Sequence, residues 1–216
     1  MAETSAGRPI LRYDQPVSVQ PIFDRAPIER SVFLQPSHIV APQLLGAILT
    51  SGRLSGRIVE TEAYGGNDDP ASHAFKGLTA RNAVMFGPPG HLYVYFTYGM
   101  HFCANVVTGD TGEGQAVLIR AIEPLSGWET MRERRPKARR DLDLTNGPGK
   151  VCAALGLDRS ADGVDLLDAQ SPVHLGAQEL RLDETIVCGS RIGISKAVDI
   201  PWRFWLDNHR YVSKGR

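Results

Sequence analysis

Gly56-Arg-Ile-Val-Glu-Thr-Glu-Ala-Tyr64 is the stretch whose reading decides the fold. Its composition suits a strand, and side chains alternate faces along a strand. Ile58, Glu60, Glu62 and Tyr64 then share one face, and Arg57, Val59, Thr61 and Ala63 the other. Two acids and an aromatic on one face of a core strand are costly to bury unless they are paired or used. The alternative is an edge strand with its acids in water.

Upstream, apolar positions Ile39, Val40, Leu44, Leu45, Ile48 and Leu49 fit a helix over 37–49 capped by Ser37 and ended by Gly52. Residues 1–31 carry scattered prolines and charges without period, which predicts an irregular arm before a single domain over 32–216. Downstream, 65–90 is a long connection holding His73, Lys76 and Arg81, and a loop of that length is usually functional. His73 taken alone reads as a structural histidine.

Residues 91–108 predict a β-hairpin. Tyr93, Tyr95 and Thr97 share one face and Leu92, Val94 and Phe96 the other, with the turn at Tyr98-Gly-Met-His101. An apolar tip suits a wedge or partner contact, or else folds back on the core. Asn105 sits in the return strand, where asparagine is depleted. Arg120 interrupts the apolar strand 115–123 and demands an anionic partner if buried. Ser126 and Glu129 predict a capping box for the next helix. Residues 132–140 carry a net charge of +5 on a chain that is neutral overall, which reads as a solvated face or a grip on a polyanion. Asn146-Gly-Pro-Gly-Lys150 precedes a short helix over Val151–Leu155 closed by Gly156; glycine-lysine at a helix start suggests phosphate binding, but it is no P-loop. Beyond Asp158 strands are expected, notably over 185–195 and 202–207, with Trp202 and Trp205 in the core.

A chain of 216 residues can bury roughly 70% of its unfolded surface, so its core needs no staples. The three cysteines are far apart and form no CxxC, which argues against a disulfide framework or a zinc site. No apolar run reaches membrane-spanning length, and the N-terminus lacks a signal pattern. The polar and aromatic residues left over, Glu62, Tyr64, His73, Tyr93, Tyr95, Asn105 and Arg120, describe a slot for a flat heteroaromatic ring. The basic segments outside it describe the polyanion that carries the ring. Chemistry on a base in duplex DNA requires turning the nucleotide out of the stack, and an inserted side chain can fill the hole.

Glu-Thr-Glu-Ala-Tyr (60–64), Ala-Ser-His (71–73), Arg-Asn (81–82), Met-Phe (85–86), Tyr-Val-Tyr (93–95), Tyr-Gly-Met (98–100), Cys-Ala-Asn (103–105), Leu-Ile-Arg-Ala-Ile-Glu-Pro (118–124) and Gly-Pro-Gly-Lys (147–150) recur in order. As a set they resemble the alkyladenine (3-methyladenine) DNA glycosylases over roughly residues 33–206. Ala80 departs from the proline found there in the family. The resemblance implies an α+β fold: a single compact domain, a curved antiparallel sheet flanked by helices, and a protruding, DNA-inserting hairpin. It is distinct from the helix-hairpin-helix glycosylases. It implies hydrolysis of the N-glycosidic bond of damaged purines in double-stranded DNA by water, with no cofactor, metal or lysine adduct, in a protein that is neither secreted nor membrane-bound and acts as a monomer in the cytoplasm or nucleus. Position by position, it makes Glu62 the general base and has Arg120 help hold the water; charge pairing with Arg120 is then expected to keep Glu62 ionised. It puts Tyr64, His73, Tyr95, Asn105 and Leu118 around the base, Tyr98 as the wedge, and Met100, Arg81, Arg134, Arg135 and Lys150 on the DNA. The rival readings are a metal site at Glu60, Glu62 and His73, a non-catalytic stacking module, and a bifunctional helix-hairpin-helix enzyme.

Overall fold

A computed structural model describes residues 28–178 and 180–214. The predicted arm lies outside the described residues over 1–27. Of its last positions, Arg30 opens a helical turn, α1 (Arg30–Phe33), and pairs with Asp165 at 2.6 Å.

The fold is α+β, built on an antiparallel sheet of eight strands. They are β1 (Ala47–Ser51), β2 (Leu54–Gly65), β3 (Leu92–Thr97), β4 (His101–Thr108), β5 (Gln115–Ser126), β6 (Val173–Gln178), β7 (Ile186–Gly189) and β8 (Arg203–Leu206). The order is β3-β4-β5-β2-β1-β6, and β8 joins β2 to β7. The decisive stretch is therefore central and the edge-strand alternative fails. One edge of β2 pairs with β5 from Ser55 to Gly65, while the other is shared by β1 and, at Glu60–Glu62, by β8. The register slips on both sides of Glu60, so strict alternation does not run through it. Ile58 and Val59 both enter the main core, whereas Glu60 and Glu62 both turn towards Arg120.

Helix α2 (Ser37–Gln43) covers the opposite face of β2, where Thr61 Oγ1 donates to the Ala41 carbonyl at 2.9 Å. Helix α4 (Pro148–Leu155) packs on β4 and β5 and closes at Gly156 in a left-handed cap, as expected, but it starts three residues before the expected Val151, with proline in its first turn. A smaller apolar cluster, Ala74, Met85, Tyr93, Val107 and Ala116, lies under the 66–90 connection, which holds only short 3₁₀ turns.

Some expectations give way. The helix predicted to Leu49 stops at Gln43, and Ala47–Ser51 becomes β1 because pairing with β2 and β6 outweighs a spacing that suits either element. Pro36, not Ser37, holds the cap position, and the Ser37 amide donates to Gln115 instead. No capping box forms at Ser126: it ends β5 and bonds Ser55, while Gly127 caps α3 (Trp128–Arg134). The strand predicted over 185–195 is cut to β7 because Arg191 leaves the sheet for Asp69. Trp202 packs against the main core, as expected.

Candidate active site

A cleft of about 330 Å³ opens where four strands and two loops meet. Tyr64 comes from β2, Tyr93 and Tyr95 from β3, Asn105 from β4, and Leu118 and Arg120 from β5. His73 comes from the long connection and Ile192 from the segment after β7. The sheet brings these together by register, since Asn105 lies directly between Tyr93 on β3 and Leu118 on β5.

The walls are aromatic. The His73 and Tyr95 rings meet edge to face at 4.4 Å, and Tyr93 Oη lies 3.4 Å from His73 Nδ1. Burial, with Arg81 nearby, pushes the His73 imidazole below its ordinary value, so it stays neutral at physiological pH. Burial pushes the Tyr93 hydroxyl up to about 12 and the Tyr64 and Tyr95 hydroxyls upward as well, so all three remain donors. Asn105 is buried and spends one N–H on the Tyr93 carbonyl at 3.1 Å.

The floor is charged. Glu62 is fully buried, and its partners Arg120, Tyr64 and Ile192 all line the cleft. Oε2 lies 3.2 Å from Arg120 Nη1 and accepts from the Tyr64 hydroxyl at 3.0 Å, while Oε1 accepts the Ile192 amide at 2.7 Å. A carboxylate offers about four acceptor positions; two take hydrogen bonds and the Arg120 guanidinium stands against a third. Burial raises the Glu62 carboxyl above the usual range, and Arg120, the Ile192 amide and Tyr64 pull it back only in part. The charge pairing expected to keep it ionised is thus present and outweighed by desolvation.

Glu60, on the same face, has another task. Its carboxylate takes Arg120 Nε at 2.9 Å, Arg203 Nε at 2.7 Å, and the Ser213 amide and hydroxyl at 2.6 and 2.8 Å. Glu60 is saturated while Glu62 keeps an acceptor position. Among the described residues no three His, Cys, Asp or Glu side chains converge as a metal site would need.

The residues expected on DNA divide. Tyr98 and Met100, 81% and 68% exposed, stand on the β3–β4 turn, which does not fold back on the core. Tyr98 adopts φ +50°, a left-handed conformation uncommon for a bulky residue. Arg81 donates to the Phe96 carbonyl near the end of β3 at 2.9 Å. Arg134 donates to the Ala154 carbonyl, Arg135 to the Asp143 carbonyl, and Lys150 to Asn146. Arg132 and Arg140 pair with Asp141 and Asp143. These bonds fix side-chain positions; Arg134, Arg135 and Lys150 bond neutral oxygens and keep their charge uncompensated by any ion pair among the described residues. Sequence reasoning missed Asp69, Arg191, Ile192 and Ser213. Only the arginine inside Cys188-Gly-Ser-Arg-Ile-Gly-Ile194 gave a signal, since a charge there needs a partner.

The model of the methylpurine-DNA glycosylase family matches residues 31–210. A Burkholderia lata protein is 49% identical over 195 residues, covering 89% of this chain and 94% of its own. A Streptomyces avermitilis protein is 46% identical, covering 89% and 93%. A Nocardia farcinica protein is 49% identical, covering 82% and 85%. Each bears the name "Putative 3-methyladenine DNA glycosylase". The chain belongs to the methylpurine-DNA glycosylase family. It is a DNA glycosylase, a hydrolase of N-glycosyl bonds that serves DNA repair, and its substrate is DNA.

Proposed function

We propose that this protein, acting as a monomer where the chromosome lies, turns alkylated and deaminated purines out of double-stranded DNA and hydrolyses their N-glycosidic bond, leaving an abasic site. The observation that carries this is Glu62: a buried carboxylate with one acceptor position left, directly beneath an aromatic cleft. Water adds to the deoxyribose C1′ as the bond to the purine nitrogen breaks. The electron pair leaves with the base, and the proton of water passes to Glu62. The same carboxylate stabilises positive charge building on the sugar. A Glu62 carboxyl raised by burial is a better proton acceptor than an ordinary one. Arg120 orients it.

The cleft selects the ring. Tyr64 on one side, with His73 and Tyr95 on the other, favour a purine made cationic by alkylation, worth roughly 0.5–2 kcal/mol. A neutral His73 adds no repelling charge. Asn105, held against Tyr93 and beside Leu118, excludes an exocyclic amine at the purine 2-position. Tyr98 on the exposed turn fills the vacated stack. The test is a panel of duplexes, each with one 3-methyladenine, 7-methylguanine, hypoxanthine or ethenoadenine, assayed for base release and alkali-labile sites. Glu62→Gln should bind these duplexes and release nothing. Release at near-normal rate by Glu62→Gln, or none from any duplex by the wild type, overturns the reading.

A further inference from the structure

Arg191 is a fully buried cation outside the set that the chemistry uses. Its Nη2 lies 2.9 Å from Asp69 Oδ1, and its Nη1 donates to the Ala63 carbonyl at 2.9 Å. Neither the Arg191 nor the Asp69 side chain is exposed at all. The Asp69 carboxylate also accepts the Gly65 and Ala71 amides at 3.1 and 3.0 Å. One ion pair thus ties the strand carrying Glu62 and Tyr64, the connection carrying Ala71 and His73, and the 190–194 segment. The guanidinium lies behind Tyr64, 4.9 Å from its ring centroid, and 5.4 Å from that of Trp202, which stacks on His38 at 5.2 Å. The next residue, Ile192, donates its amide to Glu62.

Stability alone is a weak reason for this arrangement. A buried ion pair is often no better for stability than apolar residues of the same volume. Arg191 Nε is moreover buried without a partner among the described residues. What the pair does provide is placement. A planar fork fixed by a carboxylate and a backbone carbonyl leaves its loop little freedom.

We propose that Arg191 is a positioning residue of the excision reaction. Held by Asp69 and the Ala63 carbonyl, it fixes the Ile192 amide on Glu62 and backs the Tyr64 ring at the cleft wall. This rests on the reading of Glu62 as the general base. The charged and titratable groups facing Glu62 are Glu60 and Tyr64 on its own strand, Arg120 on β5 and Arg203 opposite it on β8; Arg191 reaches it only through the Ile192 amide and the Tyr64 ring. Freeing the Ile192 amide removes a donor that favours the ionised carboxylate, so the Glu62 proton should be held more tightly.

The test follows the Glu62 carboxyl by carbon-13 NMR against pH in the wild type, Arg191→Met, Arg191→Lys and Asp69→Asn. Single-turnover base release is measured over the same range. The midpoint and the acid limb of the rate should both move upward by about one pH unit in Arg191→Met and Asp69→Asn. Arg191→Lys keeps the charge without the fork and should still be displaced. An unmoved midpoint in folded variants, with only a lower Tm, makes Arg191 a core staple and overturns the proposal. Full restoration by lysine reduces it to a point charge and overturns it equally. If Arg191→Met does not fold, Arg191→Lys and Asp69→Asn carry the same comparison. A wild type that releases no base sinks the catalytic reading, while the NMR midpoint still decides whether Arg191 governs Glu62.

Discussion

The Tyr64 hydroxyl donates to Oε2 of Glu62 across 3.0 Å, so the ring walling the cleft and the carboxylate beneath it form one unit. Tyr64→Phe should keep the wall and lose the donor. Burial already holds the Glu62 carboxyl above its ordinary value. The wild-type rate should therefore climb with pH through a midpoint above the usual glutamate range, and Tyr64→Phe should push that midpoint higher. The stability linkage has the opposite slope. A carboxyl raised on folding contributes stability below its unfolded value that is lost as pH rises through the folded one. Glu123 and Glu184, held low against their own burial by Arg57, contribute stability above the ordinary glutamate value that is lost on acidification. Single-turnover rates and Tm from pH 4 to 8 check both; a flat rate over the acid range removes Glu62 as base.

Glu60→Gln should hurt the fold more than Glu62→Gln does. Its carboxylate satisfies two arginines and two groups of Ser213. Breaking a buried pair of this kind costs about 3–5 kcal/mol. Thermal unfolding of the two variants side by side decides; equal Tm values would mean that Arg120 and Arg203 find other partners.

Tyr98→Ala should weaken capture of a damaged base while leaving Tm unchanged, because the side chain touches solvent rather than core. Fluorescence of 2-aminopurine placed beside the lesion should report less extrusion. A signal equal to wild type would show that Tyr98 inserts nothing.

The salt dependence of duplex binding separates cations without a partner from those held in place by a backbone carbonyl. Among the described residues, Lys137 and Arg139 carry no hydrogen bond or ion pair, whereas Arg134 and Arg135 hold backbone carbonyls. Replacing Lys137 and Arg139 by glutamine should lower the log–log slope by roughly 0.9 for each phosphate no longer neutralised. Replacing Arg134 and Arg135 should instead lower Tm. Identical slopes in both double variants would make the whole run a solvated face.

Legibility followed the physics of each segment. The β2 stretch could be read because acids among core residues have few uses, and the hairpin because its two faces differ in composition. Gly156 marked the end of α4, while its start was read three residues late. The break between α2 and β1 could not be read: Leu44, Leu45, Ile48 and Leu49 fit both periods, and only pairing with β2 and β6 decides. The aromatic half of the site was visible residue by residue. Ile192 was not, because it acts through a backbone amide that every residue but proline has. Arg134 and Arg135 could be read as charged, but a sequence does not say that backbone carbonyls fix where their side chains sit.

Ser213 closes the Glu60 cluster from 153 positions along the chain. Synthesis runs in that same order, with earlier parts of a chain free to fold first. A nascent chain can thus assemble the sheet core and the aromatic walls while Glu60 still lacks two of its four donors. The pair of acids under Arg120 reaches its final electrostatic state only after Ser213 has left the ribosome.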